Sequence, residues 1–181
     1  MATLAGSVAR RYAKAIFAIG EEKGIFELIG RQLSELAELW RESPELRQTL
    51  ENPVFKLSQK RVVLQGLLPR IAPARQVQSL ALLLLERGRI AEIPAIARAY
   101  EEMCDEKLSR VRARVCSAQP LDLASEAEIR KALERRTGKK VIMTTEVDQG
   151  LIGGVVAYVA GVVLDGSVAA RLEGLKNRLL N

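Results

Sequence analysis

The sequence predicts a mainly α protein with a small α/β part: an N-terminal six-helix bundle over residues 1–109 and a small C-terminal α/β domain over 110–181. Apolar residues recur at helical spacing from Leu4 to about Ser109, and at Arg110 the period switches to strict alternation. With 48% hydrophobic residues in 181, the chain has enough apolar material for real cores.

Val8, Tyr12, Ala15 and Ile19 mark the first helix, and Phe26, Ile29, Leu33, Leu36 and Trp40 the second, with Gly20 and Gly24 bracketing the connection. In "SPEL", Ser43 is placed as N-cap and Pro44 as first residue of a short third helix ending near Leu50, after which Asn52-Pro53 breaks the chain. Ser58 is expected to cap a fourth helix that carries Val62, Val63 and Leu67 and stops before Pro69. A fifth runs from near Pro73 through "VQSLALLLLER" to Gly88, and a sixth from about Ile90 to Ser109, with Pro94 in its first turn.

In "RVRARVCSAQP", Val111, Ala113 and Val115 alternate with Arg110, Arg112 and Arg114, the mark of a half-exposed strand. Ser125-x-x-Glu128 has capping-box spacing ahead of an amphipathic helix that carries Ile129 and Leu133 and ends at Gly138. "KKVIMTTEV" is a second, β-branched strand. "GLIGGVVAYVAGVVLDGS" supplies one long or two short strands turning at Gly161, and Val168, Leu172, Leu175 and Leu179 line one face of a final helix capped by Ser167.

Several kinds of chemistry are excluded by residue type. There is no histidine, and Cys104 and Cys116 form no Cys-x-x-Cys pair, which removes most zinc sites and every Ser-His or Cys-His nucleophile. The cysteines read as buried reduced thiols. The glycines at 150, 153, 154, 161 and 166 never give the dinucleotide spacing, and "GVVLDGSV" puts Ser167 and Val168 where a P-loop needs lysine and a hydroxyl residue. Asp148 and Asp165 read as turn formers at strand ends. No catalytic residue, cofactor or metal is expected. The longest apolar run, Leu151 to Leu164, is broken by glycines and shorter than the roughly 20 residues a spanning helix needs; no signal peptide or transit segment is read, which favours a bacterial chain.

The net charge is +6, with the basic excess towards the C-terminal part. Arg110, Arg112 and Arg114, with the basic cluster from Arg135 to Lys140, could track phosphates, so a basic nucleic-acid-binding adaptor is the alternative reading. Against it, Tyr158 is the only aromatic residue after Tyr100, which leaves no stacking platform.

Helices 1 and 5 carry more apolar surface than one core needs. On helix 1, Leu4, Val8, Tyr12, Ala15 and Ile19 form one side and Ala9, Ala13, Ile16 and Phe17 the next, an arc of roughly 200°, about twice the stripe of an ordinary surface helix. Helix 5, with Val77 and the run Leu80 to Leu85, repeats the pattern. Either these helices are buried on all sides, or they share an apolar groove that receives a partner's amphipathic helix.

Three stretches together resemble one family over essentially the whole chain: "VARRYAKAIFAIGEEKG", "ERGRIAEIPAIARAYEEM", and a C-terminal signature of Val147, Asp148, Leu151, Ile152, Gly153, Gly154, Asp165, Gly166, Ser167, Leu172 and Leu175. They are similar to the delta subunit of F-type ATP synthase, the family of the mitochondrial oligomycin-sensitivity-conferring protein. The resemblance implies the two-domain architecture already read from periodicity, and a non-catalytic stator subunit that links the α3β3 head to the peripheral stalk during proton-driven ATP synthesis. Its implied partners are the N-terminal helices of the α subunits, the β subunits of the head, and the b or b/b′ subunits of the stalk. Nucleic acid is not implied, and the membrane is met only through the complex, at the cytoplasmic face of a bacterial inner membrane. The groove for an α-subunit helix would be walled by Val8, Tyr12, Ala15 and Ile19 and by Val77, Leu80, Ala81 and Leu84. Gly153, Gly154, Gly161, Asp165, Gly166, Ser167, Leu172 and Leu175 would shape the C-terminal domain that holds the stalk. One departure stands out: where relatives often have a polar Gly-Asp-Lys type of turn, this chain has Ala160, Gly161 and Val162, which suggests a covered tip.

Overall fold

The computed structural model describes residues 4–71, 73–170 and 172. The chain divides into two compact units between Cys104 and Asp105, inside the last turn of a helix and slightly ahead of the expected break after Ser109.

The first unit is helical: α1 (Leu4–Glu22), α2 (Phe26–Glu42), α3 (Pro44–Glu51), α4 (Leu57–Ile71), α5 (Arg75–Glu86), a 3-10 turn (Ile90–Glu92) and α6 (Ile93–Lys107). Apolar faces of α1, α2, α4, α5 and α6 close over one core that includes Ala13, Ile29, Leu33, Val77, Leu84 and Ile96. Tyr100 lies fully buried within it, its phenol donating to the Phe26 carbonyl at 3.0 Å and its ring edge-on to Phe17 at 5.4 Å. The hydrogen bond satisfies the one polar atom that this large side chain takes out of water. Burial, and after it the neighbouring Cys104, push the phenol pKa well above the usual tyrosine range.

Three local expectations are corrected here. Helix α1 does not stop at Gly20 but runs to Glu22. The missing side chain serves packing instead, because a Cβ at Gly20 would lie 2.9 Å from Tyr100 Oη and 3.1 Å from Phe26 Cα. Ser58 does not cap α4: the helix begins at Leu57, and the Lys56 N–H donates to Gln59 Oε1 at 2.9 Å, half of a capping box built on other residues. Nor does α4 stop before Pro69, which sits within its last turn.

The second unit is an α/β layer. Strands β1 (Arg110–Ser117), β2 (Lys140–Val147), β3 (Val155–Val159) and β4 (Val162–Asp165) form a sheet in the order β2-β1-β3-β4, with α7 (Leu123–Thr137) linking the parallel β1–β2 pair. The remaining pairs are antiparallel. Alternation works as read: Ala113 and Val115, with Val141, Ala157 and Val159, pack against Leu133 and Ile129 of α7, while Arg112, Arg114 and Tyr158 occupy the opposite face.

The start of α7 is a further correction. Its N-cap is Asp122, whose carboxylate accepts from the Ser125 N–H at 2.8 Å, so the helix opens ahead of the expected Ser125–Glu128 box. The end at Gly138 is as expected, in the left-handed conformation. The outer edge of the sheet is also managed, because the Glu134 carboxylate accepts from the Val141 N–H at 3.1 Å.

Candidate functional site

An open, mainly apolar concavity lies between α1 and α5. Helix α1 contributes Tyr12, Ala15, Ile16 and Ile19, spaced i, i+3, i+4, i+7 along one face, and α5 contributes Gln76, Ser79, Leu80 and Leu83 at the same spacing. The volume enclosed is about 450 Å³. Lys23 and Arg75 close one end, and at the other Tyr12 and Ala15 lead to Arg11, Arg87 and Arg89.

The double-sided character of helix α1 is real. Ala9, Ala13 and Ile16 are buried in the core, whereas Ile19 keeps 43% of its surface exposed and Ala15 is also open. Of the residues expected to wall the groove, Tyr12, Ala15, Ile19 and Leu80 do so. Val8 is half-buried and lies outside the groove walls. Val77, Ala81 and Leu84 are corrected outright: all three are essentially inaccessible and belong to the helical core. The face of α5 that opens to solvent is rotated from them, on Leu83 and the polar Gln76 and Ser79. The sequence marks this face only weakly, since the most apolar stripe of α5 is its core side.

The C-terminal signature forms one interlocked corner. Gly154 has φ +81, and a Cβ there would lie 2.5 Å from the Gly166 carbonyl oxygen and 2.9 Å from Ser167 Cα, so no side chain fits. The Val168 N–H donates to the Gly153 carbonyl and the Gly166 N–H to the Val155 carbonyl, each at 2.9 Å. Asp165 accepts from the Ser167 N–H at 2.8 Å, and that bond, together with the serine hydroxyl, holds its carboxyl below the usual range. Ser167 in turn caps the following helix by accepting from the Ala170 N–H at 3.2 Å. The glycine pair and the Asp-Gly-Ser triplet are thus two sides of one contact. Leu172 is exposed; Leu175 lies outside the described residues.

Between β3 and β4 the connection is two residues, Ala160 at φ 49 and Gly161 at φ 80, the signs of a type I′ hairpin. In the isolated chain this tip is open, with Ala160, Gly161 and Val162 all exposed.

The remaining expectations concern chemistry. Cys104 and Cys116 are buried free thiols. Asp148 accepts from the Gly150 N–H at 2.9 Å, a turn contact. The described residues hold no group of side chains suited to a metal, and no helix among them is long and apolar enough to cross a membrane. The arginine face of β1 is internally engaged: Arg112 pairs with Asp105 at 2.6 Å, and Arg114 reaches Glu146 at 3.4 Å while stacking over Tyr158 at 4.6 Å. Cations already paired in this way make a poor phosphate track.

The family model of the ATP synthase delta (OSCP) subunit matches residues 8–179. The chain is 40% identical to the ATP synthase subunit delta of Anaeromyxobacter sp. (strain Fw109-5), covering 96% of this chain and 97% of the relative. It is 38% identical to that of Geobacter sp. (strain M21), covering 96% of each. Among solved structures, a chain of the Toxoplasma gondii mitochondrial ATP synthase hexamer, determined by cryo-EM, superposes with a TM-score of 0.70 at 27% identity, covering 99% of this chain and 98% of that one. The chain belongs to the ATP synthase delta (OSCP) subunit family.

Proposed function

We propose that this chain is a structural, non-catalytic stator subunit of a rotary ATP synthase, tying the catalytic head to the peripheral stalk. The rotor's torque on the head has an equal reaction, and without a tie to the stator the head would turn with the rotor. Such a tie requires affinity and stiffness rather than a reactive group, in keeping with a molecule whose notable surface feature is an apolar groove.

The α1–α5 groove is the observation that carries the reading. Its length and its i, i+3, i+4, i+7 walls suit an amphipathic helix laid along it, and the occupant we propose is the N-terminal helix of an α subunit. The six helices α1 to α6 form the head-binding bundle. In the second unit, Ile152, Val168 and Leu172 are exposed beside the interlocked corner, at 84%, 40% and 59%, and offer the surface for the stalk's b subunits. The chain then sits at the periphery of the membrane-bound complex, on the cytoplasmic side in a bacterium.

The test is binding of a synthetic α-subunit N-terminal peptide to the full chain. Micromolar or tighter binding that is lost in Leu83→Asp supports the groove; no binding to the wild-type chain at high micromolar peptide overturns it.

A further inference from the structure

The rim of the α1–α5 groove carries information that its apolar floor does not. At one end stand Lys23 and Arg75, at the other Arg11, Arg87 and Arg89, and no carboxylate lines either end. All five are exposed, and none has an ion-paired or hydrogen-bonded side-chain partner among the described residues. The acid nearest the triple-arginine end in sequence, Glu86, is held by Arg61 of α4. Elsewhere on the molecule several cations do have acidic partners: Arg31 with Glu35, Arg98 with Glu102, Arg112 with Asp105 and Arg114 with Glu146. Both ends of the groove thus carry positive charge with no acid lining them.

We propose that the groove selects by charge: its occupant is an amphipathic helix whose apolar stripe is bracketed by carboxylates about three turns apart. This rests on the groove being a helix-docking site, and adds which helices it admits. The spacing follows from the walls. Arg11 on α1 and Lys23, whose N–H still bonds back to Ile19 just past the helix end, lie about 18 Å apart at 1.5 Å per residue, and Arg75 and Arg87 span the same length of chain at the edge of α5. A docked helix with acids at i and i+11, about three turns, presents both on one face and reaches both clusters. An apolar floor alone would accept any amphipathic helix of the right width. The rim raises the encounter rate of acid-flanked helices and penalises basic ones, which are common among amphipathic segments.

The experiment uses the full chain and two designed helical peptides with one apolar stripe, matched in helicity by circular dichroism. One carries Glu at the two flanking positions eleven apart, the other Lys. At low salt the Glu peptide should bind about tenfold more tightly, the combined effect of a few exposed ion pairs. The preference should shrink as salt is raised, and should weaken or invert in the Arg87→Glu/Arg89→Glu chain. Equal affinities, or a preference that survives charge reversal unchanged, overturn the proposal. Failure of the α-subunit peptide alone, with the designed pair still discriminated, overturns only the identity of the occupant; failure of both designed peptides to bind overturns the helix groove itself.

Discussion

Ala160 and Gly154 share a backbone of positive φ and predict opposite responses to substitution. Ala160 is exposed at the first turn position of the β3–β4 hairpin, where an L side chain is strained and nothing packs against it. Ala160→Gly should therefore stabilise the second unit by about 0.5–1 kcal/mol, because the relieved strain exceeds the added unfolded-state entropy. Gly154→Ala should cost about 3 kcal/mol or more, since the new Cβ meets the backbone of Gly166 and Ser167 as well as a hostile φ. Urea unfolding, followed by a probe in the second unit, separates the two. Asp165 and Asp122 set the acid limit of the same unit. Asp165 is held low first by the Ser167 N–H, and Asp122 first by the Ser125 hydroxyl. A carboxyl depressed in the folded state contributes stability that is complete above its unfolded pKa and is lost as pH falls through the folded one. Stability should thus be insensitive to these two groups at neutral pH and fall on the acid side of about pH 4. The Asp122→Asn/Asp165→Asn chain should show a shallower acid slope in pH-dependent melting; an unchanged slope contradicts the assignment.

At the scale of elements, α1 and α5 each serve two surfaces, and neighbouring leucines of α5 divide between them. Leu84 is 1% exposed in the core and Leu83 is 39% exposed on the groove. Leu84→Ala should cost about 3 kcal/mol through the cavity it leaves, whereas Leu83→Asp should leave stability within about 0.5 kcal/mol while abolishing peptide binding. Comparing thermal melting with binding for the two variants tests the division. This is also where sequence reading reached its limit. The excess apolar arc of α1 was legible because its two sides are continuous, from Ala9 and Ala13 round to Tyr12 and Ile19. On α5 the groove side mixes Leu80 and Leu83 with Gln76 and Ser79, so composition pointed to Val77, Ala81 and Leu84, which the core takes. Helix ends were legible where glycine enforces them, at Gly138 and Gly88, and misread where tertiary contacts decide. Gly20 stays helical to admit Tyr100, and α7 opens on Asp122 because its carboxylate takes up the Ser125 N–H, ahead of the Ser125–Glu128 pair. The strands could be read from alternation alone, but their order β2-β1-β3-β4 could not, because pairing partners leave no local mark.

For the whole molecule, the proposed stator role requires two separate adhesive surfaces on one chain. In the proposed role the helical unit supplies the groove and the α/β unit the corner where Gly153, Gly154, Asp165, Gly166 and Ser167 interlock. The two surfaces should fail independently: Leu83→Asp should release the head and leave the b-subunit contact intact. The most direct measurement is bridging itself. Purified α3β3 head and a soluble b-subunit segment from the same source are mixed with and without the full chain, and the mass of the assemblies is measured. The account predicts that the b segment joins the head only when the wild-type chain is present, and that Leu83→Asp yields chain with b but no head. A b segment that binds the head equally well without the chain, or a wild-type chain that binds only one of the two, would contradict it.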